Sequence, residues 1–184
     1  MNTSMTQQRV VVTAGAQGIG LAITGAFVAA GAQVHICDIN NDFLAAAKAK
    51  FPAVSQSRTD VSDEAQVDAM FAELSTRWGG LDVLVNNAGI AGPTAKVEDT
   101  DLTEWSQTIA VNLTGPFLCT RRAVPLLKAA GGGSNLPAAG PAAPPPPAPA
   151  RPGATGRAAT RCGGPCGSCR HCPGRRRQIG RAHV

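Results

Sequence analysis

The strongest structural signal in this chain of 184 residues is the stretch Thr13-Ala14-Gly15-Ala16-Gln17-Gly18-Ile19-Gly20. An apolar run at residues 10–12 precedes it, and apolar residues at helical spacing follow it up to Ala30. This order predicts a strand, a glycine turn and a helix, the context in which a glycine-rich motif holds a dinucleotide pyrophosphate. Glycines let the backbone approach the phosphates, and the helix N-terminus offers unpaired N–H groups to the anion. The alternative is a tight turn that holds no ligand.

A second feature is Asp38, which ends the next apolar run 18 residues beyond Gly20. A carboxylate at this distance accepts hydrogen bonds from ribose hydroxyls and repels a 2′-phosphate. Gln17 is neutral at a place where a phosphate-selective site favours a cation. Together these residues predict NAD as the cofactor in preference to NADP. The alternative for Asp38 is an ordinary loop aspartate ahead of Asn40.

Four motifs in order resemble those of the short-chain dehydrogenase/reductase family. Its glycine pattern T-G-x-x-x-G-x-G is matched at Thr13, Gly18, Ile19 and Gly20, whereas Ala14 stands at the first glycine. The later motifs are Asp60-Val61, Asn86-Asn87-Ala88-Gly89 and Val111-Asn112. The resemblance covers roughly residues 8 to 134 and nothing beyond.

The resemblance implies a role for each matched residue. The pyrophosphate of NAD is held by Gly15, Gln17, Gly18, Ile19 and Gly20, the ribose by Asp38, and the adenine by Asp60 and Val61. The floor of the cofactor site is lined by Asn87, Ala88 and Gly89. Asn112, next to Val111 on a helix that Pro116 should kink, positions a water in a proton relay. Without the resemblance, Asn112 is interpreted as a surface helix residue, and the Asn-rich turn as one without a ligand.

The alternation of strands and helices predicts an α/β protein with a parallel sheet and right-handed crossovers. We expect the N-terminal half of a Rossmann-type, doubly wound parallel sheet in residues 1–134, with strand order 3-2-1-4. Predicted strands cover 9–14, 33–38, 54–59 and 81–85; predicted helices cover 18–30, 42–50, a segment capped by Ser62, and a long segment opened by Asp101 with Glu104. A disordered tail is expected over residues 135–184.

The family's hydride transfer requires residues that this chain lacks. The family supplies a Tyr with a Lys four residues later as general acid/base, and a Ser on the same substrate oxygen. The chain contains no Tyr, and its last lysine is Lys128. The resemblance implies an NAD-dependent oxidoreductase for an alcohol, a ketone or a 3-oxoacyl thioester, but we expect this chain to be inactive. The competing class is a non-catalytic dinucleotide-binding fragment, and a third possibility is that nothing folds.

The composition changes sharply near residue 135. From Leu136 to Gln178, 33 of 43 residues are Ala, Pro, Gly or Arg, all encoded by GC-rich codons. We hypothesise that this tail is an out-of-frame translation. Because proline cannot donate to a central ladder, no fifth strand is expected here, and strand four is left with an unpaired apolar edge that favours aggregation.

The tail also carries features with functional alternatives. A zinc site is one reading of Cys162, Cys166, Cys169, Cys172 and His171, although structural zinc sites usually separate two ligand pairs by a loop. The proline tract allows a linker or an SH3-type ligand, and Arg175-Arg176-Arg177 allows contact with phosphates. Misread codons explain all of them without a function, so we predict no metal site.

Charge and apolar patterning limit the partners. Residues 1–134 carry 9 basic and 12 acidic residues, a net charge of −3, while residues 135–184 carry 8 Arg and no acid. The N-terminus lacks a signal-peptide apolar region, and no run is long enough to span a bilayer. Cys37 and Cys119 are interpreted as small buried side chains. We expect a cytoplasmic protein with a small-molecule substrate, no membrane or nucleic-acid partner, and the homo-oligomer that the resemblance implies.

Overall fold

A computed structural model describes residues 7–137, which form a five-stranded sheet flanked by helices. The strands are β1 (Arg9–Thr13), β2 (Gln33–Asp38), β3 (Ser55–Arg58), β4 (Val83–Asn86) and β5 (Ser134–Pro137). Their order in the sheet is β3-β2-β1-β4-β5, and every pairing is parallel. The predicted parallel, Rossmann-type sheet is confirmed, with the first four strands in the predicted order.

Five α-helices connect the strands. They are α1 (Gly18–Ala29), α2 (Asn41–Lys50), α3 (Glu64–Trp78), α4 (Leu102–Ile109) and α5 (Gly115–Ala129), with a 3-10 turn at Val97–Asp99 and a π-helical segment at Ala110–Thr114. The predicted cap at Asp101 is confirmed, since its carboxylate accepts from the N–H groups of Thr103 and Glu104. The predicted cap at Ser62 is wrong. Asp63 caps α3 instead, because Ser62 is bonded to the carboxylate of Asp60.

The fifth strand corrects the sequence-based prediction that none would form. Residues 134–137 pair one by one with all four residues of β4, so the expected unpaired edge of β4 is also wrong. Proline is tolerated because β5 is the outermost strand among the described residues and Pro137 is its last residue, where a missing N–H breaks no interior ladder. Gly133 permits the approach, since a Cβ there would lie 2.5 Å from the carbonyl oxygen of Asp82.

The sheet is covered on both faces by apolar side chains. One core cluster joins the sheet to α3 and α5, and the other joins it to α1 and α2. Val10, Val11 and Val12 of β1 are fully buried, as expected of a central parallel strand that is covered on both faces. Cys37 and Cys119 are free and buried in the first cluster, which confirms their interpretation as small core residues.

Asp82 interrupts the apolar sequence just before β4 and forms an ion pair with Arg9. Its carboxylate accepts from the Arg9 side chain at 2.8 and 3.0 Å and from the Arg9 backbone N–H at 2.8 Å. This donor set lowers the pKa of the Asp82 carboxyl. The ion pair therefore holds the N-terminal ends of β1 and β4 next to each other.

One face of α4 and α5 carries apolar side chains that are exposed to solvent. They recur three or four residues apart, at Leu102, Trp105, Ile109, Leu113 and Phe117. This set is called the outer apolar face. Within residues 7–137, no helix combines the length and hydropathy needed to cross a bilayer.

His35 is a buried polar residue that joins β2 to β3. Its ring nitrogens hydrogen-bond to the hydroxyl oxygens of Ser55 and Ser57, both at 3.0 Å, and its edge meets the ring of Trp78. Burial, with a smaller contribution from the charge of Arg77, lowers the pKa of His35 to about 4. The folded protein therefore favours the neutral form of the His35 imidazole, which lies between β2 and β3.

The free energy of unfolding is expected to decrease as the pH is lowered from about 6.5 to about 4, because of His35. Because the unfolded imidazole binds a proton near pH 6.5 and the folded one only near pH 4, unfolding takes up a proton between these values. The shift corresponds to a loss of about 3 kcal/mol on going from pH 7 to pH 4. Urea unfolding at several pH values measures it, and His35→Gln should flatten the slope in this window. A wild-type slope that His35→Gln leaves unchanged would contradict this origin.

Candidate functional site

The candidate site is built where β1 and β4 end, around the hydroxyl of Thr13. This buried oxygen accepts the backbone N–H groups of Asn87 and Ala88, both at 2.9 Å, and donates to the carbonyl of Val85 at 3.4 Å. The chain leaving β4 is thereby fixed against the start of the glycine turn. Sequence reasoning quoted Thr13 as part of a motif but assigned no contact to it.

Asn87 completes this junction from the other side. Its side-chain amide donates to the carbonyl oxygens of Thr13 at 3.0 Å and of Ala14 at 3.1 Å. Both hydrogens of the amide are therefore used to hold the backbone of the glycine turn. The structure brings Asn87 and Ala88 next to this turn, and the side-chain contacts of Asn87 are structural.

Two glycines of the turn stand where no side chain fits. A Cβ on Gly15 would lie 2.7 Å from Cγ2 of Ile36, and one on Gly20 would lie 2.0 Å from the carbonyl oxygen of Ala14. The backbone of Gly15 donates to the carbonyl of Cys37 and accepts from the hydroxyl of Thr24, both at 3.2 Å. These contacts pack α1 tightly against the sheet, and they are the physical reason for glycine at both positions.

Ala14 occupies the position at which the resembled pattern has its first glycine. Its φ angle is 47°, in the left-handed region that L-residues with a Cβ rarely adopt. This conformation costs about 1 kcal/mol for alanine. The turn keeps its path because the carbonyl of Ala14 is held by Asn87.

The N-terminus of α1 differs from those of the other helices that follow loops. Side chains of Asn40, Asp63 and Asp101 cap α2, α3 and α4, whereas Gln17 makes no capping bond and the first turn of α1 contains no acid. The N–H groups there carry a positive partial charge without a side-chain acceptor. Nothing lies within 4 Å of a Cβ built on Gly18. The arrangement leaves room and donors for an anion.

Ile19 lies in the first turn of α1, on the solvent-exposed side of the helix. Ile19 is 70% exposed, whereas Gly20 and Thr24 are the buried positions of α1. The first turn of α1 projects beyond the sheet, so Ile19 lies at the open end of the site. It is an apolar surface beside the free N–H groups.

Asp38 lies at the end of β2 with a carboxylate that is only partly satisfied. The residue is 6% exposed; Oδ1 accepts the N–H of Asn40 at 3.1 Å, and Oδ2 has no hydrogen-bond partner among the described residues. A buried acceptor without a donor is unfavourable and marks a place where a ligand hydroxyl fits. The structure thus places Asp38 next to the glycine turn, as the Gly15 to Cys37 bond shows.

Asp60 and Val61 lie just beyond β3, beside this edge. Asp60 uses one carboxylate oxygen to accept from the backbone and hydroxyl of Ser62, at 2.9 and 2.7 Å. Val61 is buried against Gly115, where a Cβ would lie 2.8 Å from Cγ2 of Val61. Val61 therefore fixes α5 at the edge of the site, and the carboxylate of Asp60 shapes the turn into α3.

Asn112 lies in the π-helical segment between α4 and α5, not in a regular helix. Its amide oxygen accepts the N–H of Ile90, and its amide nitrogen donates to the carbonyl of Ile90, both at 2.9 Å. Gly89 lies directly beside it, with a built Cβ 3.4 Å from the Asn112 oxygen. The segment ends just before Pro116, whose missing N–H suits the first turn of α5. The break in the helix was predicted; its π-helical form was not.

Asn86 makes a second set of contacts, with partners that the sequence does not identify. Its amide nitrogen donates to the hydroxyl of Thr120 at 3.2 Å and to the amide oxygen of Asn135 at 3.1 Å. Asn135 also donates to Thr120 at 3.1 Å. These bonds join β4, α5 and β5, and only the spacing N-N-A-G hinted at a structural asparagine.

A cavity of about 480 Å³ lies beside Ile90, between the segment after β4 and α4. Its polar lining comes from Thr94, Glu104, Gln107 and Thr108. Within residues 7–137, no group of three His, Cys, Asp or Glu side chains is placed to hold a metal ion. The four tail cysteines lie outside the described residues.

The parallel sheet, covered by helices on both faces and carrying a glycine turn after β1, defines a Rossmann-type α/β protein. The family model described as short chain dehydrogenase matches residues 8–136. The chain belongs to the short-chain dehydrogenase/reductase family.

Curated relatives agree with this assignment. A short chain dehydrogenase/reductase of Colletotrichum higginsianum is 39% identical over 67% of this chain and 47% of its own length. The NAD(+)-dependent 2-dehydro-3-deoxy-L-rhamnonate dehydrogenase of a Sphingomonas species is 36% identical over 64% of this chain and 47% of its own length. The chain thus spans about half the length of these relatives.

Solved structures show the same fold. A short-chain dehydrogenase from Streptomyces avermitilis is 31% identical with a TM-score of 0.67, covering 73% of this chain and 49% of that one. A metagenomic short-chain oxidoreductase in complex with NADP is 30% identical with a TM-score of 0.70, covering 73% of this chain and 63% of that one.

Removal of the Thr13 hydroxyl is expected to loosen the site at its centre. Thr13→Val keeps the shape but leaves the N–H groups of Asn87 and Ala88 without an acceptor, which should lower the free energy of unfolding by about 2–4 kcal/mol. Thr13→Ser retains the oxygen and should lose less than half as much. Urea unfolding measures both, and equal losses would contradict a role for the hydroxyl.

Proposed function

We propose that the described part of this chain binds NAD at the carboxyl edge of its sheet. The observation that carries the proposal is Oδ2 of Asp38, a buried acceptor without a donor next to a helix N-terminus without a cap. One site thus offers an acceptor for ribose hydroxyls and donors for a pyrophosphate. These are the complementary groups of a dinucleotide.

In this proposal each residue of the edge has one task. The backbone of the turn, with Gly15, Gln17, Gly18, Ile19 and Gly20, surrounds the pyrophosphate; Asp38 accepts from the ribose; and Asp60 with Val61 borders the adenine. Asn87, Ala88 and Gly89 form the floor. Val111 and Asn112 border the side that faces the cavity. The bound nicotinamide would supply a carbon that accepts or gives hydride, and the protein would position it.

The preference for NAD over NADP rests on electrostatics. A 2′-phosphate beside the Asp38 carboxylate brings two negative charges together, whereas ribose hydroxyls donate to it. The described part of the Gly turn contains no basic residue to offset the repulsion. Among the similar proteins, one is named for NAD(+) and one is in complex with NADP, so the comparisons support a nicotinamide cofactor of either kind.

The parent activity we propose is hydride transfer between NAD(H) and an alcohol, a ketone or a 3-oxoacyl thioester. In this chain, Asn112 fixes the loop at Ile90 beside the cavity, which offers a place for a small substrate. Proton transfer to the substrate oxygen requires an acid of suitable pKa, and the chain has no Tyr to provide one. We therefore infer that this polypeptide binds the cofactor without turning substrate over.

The second candidate is a non-catalytic dinucleotide-binding fragment. It is favoured by the same absence of Tyr. Both candidates share the cofactor site and predict no turnover by this polypeptide; they differ in whether hydride transfer is the activity of a parent protein. Zinc or nucleic-acid binding by the tail concerns residues outside those the structure describes.

Subunit pairing also stays a proposal. The resemblance implies pairing through the helical region that carries Asn112, and the outer apolar face lies on that region. Burial of these side chains against a second copy would remove apolar area from water. The exposed face therefore supports a homo-oligomer of this chain.

Cofactor binding is tested by calorimetric titration of the full chain with NAD. Asp38→Ala should weaken binding about tenfold or more, because hydrogen bonds to a charged acceptor contribute about 1.5–3 kcal/mol each. The control Asp99→Asn removes an exposed carboxylate from a 3-10 turn and should leave affinity unchanged. A wild-type chain that is folded by circular dichroism and does not bind NAD would refute the proposal.

Absence of turnover is a separate expectation. The full chain with saturating NAD and a panel of secondary alcohols should give no NADH absorbance above a protein-free blank, since no acid is available for the substrate oxygen. A rate that scales with protein concentration, and that Asp38→Ala lowers, would favour an active enzyme over a non-catalytic fragment.

A further inference from the structure

We propose that Arg58 is a second determinant of coenzyme choice, which lets the Asp38 site accept a 2′-phosphate that the carboxylate alone would exclude. The inference rests on the proposed cofactor site. It assigns to this chain a measurable affinity for NADP beside its preference for NAD.

Arg58 is placed next to Asp38 by the register of the sheet. The two residues are partners in the parallel pairing of β2 with β3, and the next backbone N–H, from Thr59, donates to the carbonyl of Asp38 at 3.1 Å. Partners on adjacent parallel strands send their side chains to the same face, with backbones about 4.8 Å apart. Arg58 therefore lies on the face of the sheet that carries Asp38.

Alternation along β3 separates Arg58 from the polar network around His35. Ser55 and Ser57 point to the opposite face, where both bind His35, and Thr59 continues that network through a 3.0 Å bond to Ser57. Gln56 and Arg58 are the exposed positions of the strand. The guanidinium is thus not needed to hold the strand in place.

Neither charge of the pair is committed to the other. Within residues 7–137, Oδ2 of Asp38 has no hydrogen-bond partner, and the ion pairs use Arg9, Arg121 and Arg122 but not Arg58. A buried carboxylate oxygen and an exposed arginine therefore belong to paired residues at one edge of the sheet. The first suits a hydroxyl donor, and the second suits an anion.

The two coenzymes would use this pair differently. NAD presents ribose hydroxyls to Asp38 and nothing to Arg58. NADP presents a phosphate of about −1.5 to −2 charge, which Asp38 repels and which a guanidinium binds through two parallel N–H donors. Removal of the Arg58 guanidinium should therefore weaken the binding of NADP and leave the binding of NAD unchanged.

The test is calorimetric titration of the full chain with NAD and with NADP. Arg58→Gln should weaken the binding of NADP roughly tenfold and change the affinity for NAD less than twofold. Arg58→Lys should give an NADP affinity between those of wild type and Arg58→Gln, because lysine keeps the charge but not the two parallel N–H donors. The matched control Arg77→Gln removes an arginine from the last turn of α3, at the other end of the strands. The arginines of the tail are present in every variant, so their contribution cancels.

A double-substitution cycle gives a second readout. Asp38→Asn should increase the affinity for NADP more in the wild-type background than in the Arg58→Gln background. The reason is that Arg58 draws the phosphate close to Asp38, where the carboxylate repels it most strongly. The inference is overturned if Arg58→Gln weakens both coenzymes equally or neither, or if wild type binds NAD and shows no binding of NADP at millimolar concentration. Binding of neither coenzyme by the folded wild type would refute the proposed function and this inference with it.

Discussion

The hydroxyl of Thr13 is the contact on which the described fold and its candidate site both depend. One oxygen accepts two backbone N–H groups from the chain leaving β4, and the amide of Asn87 returns two bonds to the turn leaving β1. The carboxyl ends of two central strands are thereby locked together. Because the glycine turn, Asp38 and the segment after β4 are all positioned from this junction, a small polar cluster determines the geometry of the whole edge.

The rest of the structure buries the sheet and caps the helices but leaves polar groups at this edge available. Valines of β1 are enclosed on both faces, and three helices that follow loops are capped by their own side chains. The helix after the glycine turn is left uncapped, and the carboxylate at the end of β2 keeps one free oxygen. A buried acceptor without a donor beside an uncapped helix N-terminus is the physical mark of a ligand site. Family membership and unsatisfied groups therefore point to the same edge.

Chemistry and scaffold separate in this chain. The positions that resemble cofactor contacts are assembled, and Asn112 is fixed against Ile90 in a π-helical segment. The sequence contains no Tyr, the residue type that the family resemblance implies as the general acid. Even β5 forms, although the sequence enters a proline-rich region there, since an outer strand needs few donors. A fold of this kind is specified by apolar patterning and glycine turns, which residues 9–137 retain, independently of the residues that perform catalysis.

Local sequence patterns predict the first four strands and the helices in their order, because periodicity, glycine turns and caps such as Asp101 act within a few residues of one another. The sequence by itself misplaced the cap of α3, since Asp63 and Ser62 are equally suitable in type and only the bond from Ser62 to Asp60 distinguishes them. It did not identify the partners of Thr13 and Asn86 or the pairing of Arg58 with Asp38. Tertiary structure alone decided these, because they depend on the register between strands that are 20 to 74 residues apart in the chain. Local patterns predict which strands exist, whereas the packing of the whole sheet determines which side chains meet at its edge.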